Sequence, residues 1–249
     1  MDLGLSGKAA IVTGGRGGIG AAIALALARE GCDVAVVDLV ADDEARAVTR
    51  GVEAAGRRAA LFEADVRDFA AAESVVARTV KAFGRLDILV GNAGVTADAM
   101  SWKMSEEQWD TVLDVNLKGC FAYARAAAPV LRQRGGGRMV FIASINGLRG
   151  KVGQANYAAS KAGVIALGKT LARELGPSGV TVNVVAPGMV RTAMADALPA
   201  SILQRAVDET ALGRIATPDD IAGAVVFLCS ERARHVTGAV LQVDGGQDI

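Results

Sequence analysis

The stretch KAAIVTGGRGGIGAAIALALARE, residues 8–30, decides the fold. KAAIVT (8–13) is a short continuous apolar run that reads as a buried strand. GIGAAIALALARE (18–30) reads as a helix. Between them TGGRGGIG (13–20) fits G-x-G-x-x-G through Gly15, Gly17 and Gly20, and T-G-x-x-x-G-x-G through Thr13, Gly14, Gly18 and Gly20. Glycines there permit a tight turn and let backbone approach a phosphate. The helix N-terminus behind them favours negative charge.

A second strand, DVAVVD (33–38), ends on Asp38, 18 residues beyond Gly20. An acid there can accept hydrogen bonds from an adenosine ribose. Strand, glycine loop, helix and strand-end acid together predict a dinucleotide site. The Asp38 carboxylate would repel a 2′-phosphate, which favours NAD over NADP. Arg16 argues the other way, since its guanidinium could reach a phosphate.

The same alternation continues along the chain. Strand patterns cover 58–65, 86–91, 138–144, 180–187 and 238–245; helix patterns cover 41–56, 69–84, 105–135, 156–175 and 218–230. Near-continuous apolar strands fit a sheet covered on both faces. The predicted architecture is α/β, a doubly wound parallel sheet of the Rossmann type, in a single domain over residues 1–249. Residues 188–217 are longer than the usual connection, and about 189–212 is expected to be a substrate lid.

The chain has 249 residues and 27 each of Lys+Arg and Asp+Glu, so its net charge is zero. No basic stripe points to nucleic acid. Cys32, Cys120 and Cys229 are far apart and form no metal-ligand pair. His235 is the only histidine, which argues against a histidine-based triad, and no metal site is expected. The acidic start MDLGLSG lacks a signal-peptide pattern, and AAIALALA (21–28) falls short of the ~18 residues a span needs. A cytoplasmic protein with no membrane partner is expected. GVIALGKT (163–170) matches a nucleoside-triphosphate loop, but it lies inside a helical pattern and is read as a packing face.

The chemistry is concentrated at YAASK, 157–161. Residues four apart share a helix face, so Lys161 places positive charge beside the Tyr157 phenol and favours phenolate. Ser144 ends a strand 13 residues earlier and would stabilise charge on the same substrate oxygen.

These residues, with GNAG (91–94), VNLKG (115–119), PGMVRT (187–192) and VDGG (243–246), make the chain resemble the short-chain dehydrogenase/reductase family over nearly its whole length. The resemblance implies a catalytic set of Asn116, Ser144, Tyr157 and Lys161, with Asn116 tying a water chain to the lysine. It implies cofactor contacts from Gly14, Arg16, Gly17 and Ile19, from Asp38 and Leu39, from Asp65 and Val66, and from Asn92, Ala93 and Gly94. Lys161, Tyr157, Pro187, Gly188, Val190 and Thr192 would meet the nicotinamide end. Gly91 departs from the pattern, since relatives often carry Asn there.

Within that family GVTADAMSWKMSEEQW (94–109) and GQANYAASKAG (153–163) are most similar to 3-oxoacyl-acyl-carrier-protein reductases. Those enzymes usually use NADPH, and the basic residues that dock their carrier protein align to Gly135 and Ser178 here. The expectation is therefore an NAD-linked oxidoreductase acting on a ketone, a secondary alcohol or a small acyl thioester, with an NADPH-dependent 3-oxoacyl-acyl-carrier-protein reductase as the alternative. Ser144, Leu148, Gln154 and Met189 are the substrate candidates, in a pocket also lined by Met100, Trp102, Ile145, Val152, Met194 and Leu198. Arg149 and Lys151 stand at its rim, where they could attract an anionic substrate or be solvated loop cations. A homotetramer joined through helices near 105–135 and 156–175 and through the C-terminal segment is also implied.

Overall fold

The computed structural model describes residues 2–196 and 198–249; the side chain of Met194, one of the expected pocket residues, also lies outside that description. In chain order the elements are β1 (Ala9–Thr13), α1 (Gly18–Arg29), β2 (Asp33–Asp38), α2 (Asp43–Ala54), β3 (Ala59–Glu63), α3 (Phe69–Phe83), β4 (Ile88–Gly91) and α4 (Glu106–Leu113). They continue with α5 (Gly119–Gln133), β5 (Gly137–Ile142), α6 (Asn146–Arg149), α7 (Ala155–Leu175), β6 (Val180–Pro187), α8 (Ala193–Asp196), α9 (Ala200–Glu209), α10 (Pro218–Cys229) and β7 (Val240–Val243).

Seven parallel strands form one sheet in the order β3-β2-β1-β4-β5-β6-β7. β1, β4, β5 and β6 are buried along their length, as helices on both faces require, whereas the edge strands β3 and β7 are only partly covered. One core layer packs α3, α5 and α7 against the sheet. The other packs α1, α2 and α10 against the opposite face. The direction of winding reverses between β1 and β4. At such a switch point loops from the carboxyl ends of neighbouring strands diverge and leave a crevice.

Helix starts follow local chemistry. Ser105 accepts from the Gln108 N–H while the Gln108 side chain accepts from the Ser105 N–H, a reciprocal cap at α4. Thr217 and Asp220 do the same at α10, with Pro218 in the first turn. GVIALGKT lies wholly within α7, and all three thiols are buried. Burial pushes Cys32 up to about 12 and Cys120 up to about 11.

One expectation needs revision. The 105–135 helical stretch is not continuous: Asp114–Lys118 forms a wider π-type turn between α4 and α5. Asn116 sits in that turn, held from across the site. The loop after Ser144 contains α6, too short to show a hydrophobic period. The long connection after β6 carries α8 and α9. Among the described residues no helix is long and apolar enough to cross a membrane.

Candidate active site

The crevice begins at the loop after β1. Gly14 has φ +63°, and a Cβ on Gly20 would lie 2.0 Å from the Gly14 carbonyl oxygen, so neither position admits a side chain without moving the loop. Gly17 stands before α1 with no side chain capping its first turn. The first-turn N–H groups of α1 therefore lack a side-chain acceptor there, a cradle suited to a pyrophosphate.

The Asp38 carboxylate accepts from the backbone N–H of Arg16 at 3.0 Å and of Leu39 at 2.9 Å. Both bonds leave acceptor capacity for hydroxyls, since a carboxylate has about four lone-pair sites. The Arg16 guanidinium points elsewhere. Its Nε donates to Asp42 at 2.7 Å, and its Nη2 lies 3.0 Å from Glu44.

Asn92 and Thr13 bind the glycine loop to β4. Thr13 Oγ1 accepts from the N–H groups of Asn92 and Ala93, and Asn92 Nδ2 donates to the carbonyls of Thr13 and Gly14, each at 3.0 Å. The Asn92 amide thus supports the loop from below. Asp65 is similarly engaged: Arg67 grips its carboxylate at 2.6 Å and holds it below the usual carboxylate range. Val66 is buried, against Gly119. At Gly91 a Cβ would lie 2.6 Å from the Phe141 ring, so the aromatic ring fills the space that a larger residue would need.

The reactive residues come from three elements. Lys161 is buried, and its Nζ donates to the Ile142 carbonyl at 2.8 Å and lies 5.6 Å from the Tyr157 ring centroid. That carbonyl belongs to β5, two residues before Ser144. Ser144 Oγ accepts from the Asn146 N–H at 3.1 Å, which starts α6 and turns the chain. Gly147 in α6 packs on the backbone of Lys161, within 2.9 Å of where a Cβ would stand. The lysine is therefore fixed to the same strand end and the same turn that carry the serine.

Asn116 joins this group from the π-type turn. Its Oδ1 accepts from the Val95 N–H at 2.8 Å, and its Nδ2 donates to the Val95 carbonyl and to Ser160 Oγ, each at 3.1 Å. A Cβ on Gly94 would lie 3.3 Å from Asn116 Oδ1 and 3.4 Å from Lys161 Nζ, so both polar groups converge on one bare point of backbone.

On the far side Pro187, the last residue of β6, accepts from the Ile145 N–H. Gly188 and Met189 follow, and the Met189 N–H donates to Gln247 Oε1 at 2.9 Å. Val190 is buried and paired with Ala216, while Thr192 lies opposite Gly18 across the crevice. Ile19 is partly buried beside the same loop.

On the expected substrate side Ile145 is buried, whereas Met100, Trp102, Leu148 and Val152 are exposed. Leu198 is half-buried. Gln154 is buried and committed to neighbours: its Oε1 accepts from Asn146 Nδ2 at 3.1 Å and its Nε2 donates to Asp98 at 2.8 Å. Arg149 is not a free rim cation. Its Nη1 donates to the Gln247 carbonyl at 3.0 Å and its Nη2 reaches Glu209 of α9 at 3.5 Å. Lys151 stands exposed in the adjoining loop.

Sequence reasoning does not single out Asp42, Glu44, Asn146 or Gln247, whose side chains bond Arg16, Gln154 and the Met189 N–H. Only Asp42, an acid one residue before a helix, carried a local signal, and it reads as a cap. His235 is exposed in a turn before β7. No group of three or more His, Cys, Asp or Glu arranged to hold a metal occurs among the described residues. The uncapped α1 terminus, the glycine approach and Asp38 fit a dinucleotide cofactor.

A family model described as enoyl-(acyl carrier protein) reductase matches residues 14–248. The chain is 44% identical over 242 residues to nodulation protein G of Azospirillum brasilense, covering 97% of this chain and 98% of that one. It is 41% identical over 239 residues to the 3-oxoacyl-[acyl-carrier-protein] reductase FabG of Staphylococcus aureus, covering 96% and 97%. A crystal structure of a candidate short-chain alcohol dehydrogenase from Sinorhizobium meliloti 1021 has a TM-score of 0.93 at 37% identity, covering 97% of this chain and 96% of that one.

Proposed function

The chain belongs to the short-chain dehydrogenase/reductase family, and on that premise we propose that it interconverts a ketone and a secondary alcohol with NAD(H) as cofactor. It is an oxidoreductase acting on CH–OH groups. The observation that carries the mechanistic reading is the buried Lys161 ammonium, tied to the Ile142 carbonyl beside Ser144 and 5.6 Å from the Tyr157 ring.

Gly14, Gly17 and the first turn of α1 would hold the cofactor's pyrophosphate, and Asp38 its adenosine ribose. When bound, the cofactor supplies or accepts the hydride at the substrate carbon. In the reducing direction Tyr157 gives its phenolic proton to the carbonyl oxygen, producing the alcohol. Ser144 donates a hydrogen bond to that oxygen as its charge develops. Lys161 stabilises the phenolate left behind, and Asn116 holds the lysine's surroundings in place for proton return. The reverse reaction uses Tyr157 as the base.

The exposed apolar side chains of Met100, Trp102, Leu148 and Val152, in the segments expected to line the pocket, support an apolar carbonyl substrate, including a 3-oxoacyl thioester. A second reading, NADPH-dependent reduction of a 3-oxoacyl group on carrier protein, is favoured by the name of the Staphylococcus relative. Initial rates of NADH and NADPH oxidation with acetoacetyl-CoA separate the two. Faster turnover with NADH is expected, and turnover with NADPH alone would replace the first reading by the second. We further propose a single domain over 1–249, with 189–212 as the lid, and a homotetramer; a monomer mass by light scattering would reject the last.

A further inference from the structure

Arg16 is tethered to the site at its backbone, because its N–H donates to Asp38 Oδ2 at 3.0 Å. Its side chain therefore starts beside the acid expected to hold the adenosine ribose. A guanidinium in that place is a natural partner for a 2′-phosphate. Here it is already engaged. Nε and Nη2 both lie 2.7 Å from Asp42 Oδ2, and Nη2 lies 3.0 Å from Glu44 Oε2.

Asp42 is itself fixed. Its second oxygen accepts from the Ala45 N–H at 3.1 Å as the N-cap of α2. One carboxylate thus starts a helix and holds the arginine at once. The hydrogen bond from Arg16, reinforced by the Ala45 N–H, pulls Asp42 down to about 2, so the pair stays charged at any working pH. Asp38, Asp42 and Glu44 set three carboxylates against one guanidinium at this end of the crevice.

We propose that Asp42 and Glu44 are specificity-determining residues for the cofactor: they sequester Arg16 so that the site rejects a 2′-phosphate. The proposal rests on the NAD(H) reading above and assigns part of the discrimination to the start of α2. Asp38 repels the phosphate directly. Asp42 and Glu44 withdraw the cation that would otherwise offset that repulsion.

The test compares the wild type, an Asp42→Asn/Glu44→Gln double variant, and the same variant carrying Arg16→Ala as well. Asn is as good an N-cap as Asp, so α2 retains its start. Each protein is titrated calorimetrically with 5′-ADP and 2′,5′-ADP, and kcat/KM is measured for NADH and NADPH at one ionic strength. In the double variant, affinity for 2′,5′-ADP and kcat/KM for NADPH should rise at least about tenfold, the scale of one charge-assisted hydrogen bond. Values for 5′-ADP and NADH should move less than about threefold. Adding Arg16→Ala should remove the gain. No gain in the double variant would overturn the proposal. So would a gain that survives Arg16→Ala, because subtraction of negative charge would then explain it. A wild type that prefers NADPH would reject the cofactor reading, while the variant-to-wild-type ratio still decides the role of Asp42 and Glu44.

Discussion

Lys161 Nζ donates to the Ile142 carbonyl at 2.8 Å, so the ammonium of α7 is fixed to the end of β5. This bond ties the Tyr157 helix to the strand that delivers Ser144. It makes the positions of the three residues depend on one another.

If Tyr157 is the proton donor, Tyr157→Phe should retain NADH affinity and lose kcat by about 10²–10⁴, the range for general acid–base catalysis. Fluorescence titration with NADH and steady-state rates measure the two effects. A variant within tenfold of wild-type kcat would falsify the assignment.

Gly147 tests the linkage between α6 and α7. A Cβ there would stand 2.8 Å from the Lys161 carbonyl carbon and 2.9 Å from its Cβ, so Gly147→Ala must push the two helices apart. We expect a kcat at least about tenfold lower, since displacements of ~1 Å cost that much or more. Far-UV circular dichroism should stay unchanged. Unaltered turnover would mean that the lysine tolerates displacement.

Arg149 is expected to act by holding α9, in the proposed lid segment, rather than by meeting the substrate. It joins the loop after Ser144 to Glu209 of α9 and to the Gln247 carbonyl. Arg149→Ala should therefore lower kcat/KM for anionic and neutral ketones alike, with their ratio within about threefold, under ~1 kcal/mol. A selective loss of the anionic substrate would restore Arg149 as a substrate-recruiting cation.

Acid stability should depend on Asp87. Burial alone would raise its pKa, but hydrogen bonds from Arg85 and the Ala9 N–H, with the charges of Arg85 and Arg134, hold it below the usual carboxylate range. A carboxylate depressed in the folded state contributes stability above its unfolded pKa near ~3.9 and loses it as pH falls through the folded value. Asp87→Asn should cost about 1–3 kcal/mol at pH 7. That cost should shrink below pH ~4. Urea midpoints at the two pH values measure it; an equal cost at both would exclude the charge as the cause.

Much of this protein was determined by its sequence alone. Strand–helix alternation is a local signal, because apolar periodicity and glycine punctuation act over a few residues. It yielded the parallel sheet, the glycine loop with Asp38, and the Tyr157–Lys161 pair on one helix. α6 and α8, four residues each, are too short to show a period, whereas the apolar spacing of Ile202, Leu203, Ala206 and Val207 in α9 is legible but reads as part of one long connection. What only the tertiary structure decided is which polar groups are already taken. Arg16 meets Asp42 across 26 positions, Asn116 meets Val95 across 21, and Met189 meets Gln247 across 58. Such partnerships arise when the loops at the carboxyl end of the sheet are packed together, where buried polar atoms such as those of Asn116 must find an acceptor or donor and opposite charges are brought within reach. Residue type told which side chains could bind a cofactor or substrate. Long-range hydrogen bonding decided that Arg16, Arg149 and Gln154 are held by the protein itself.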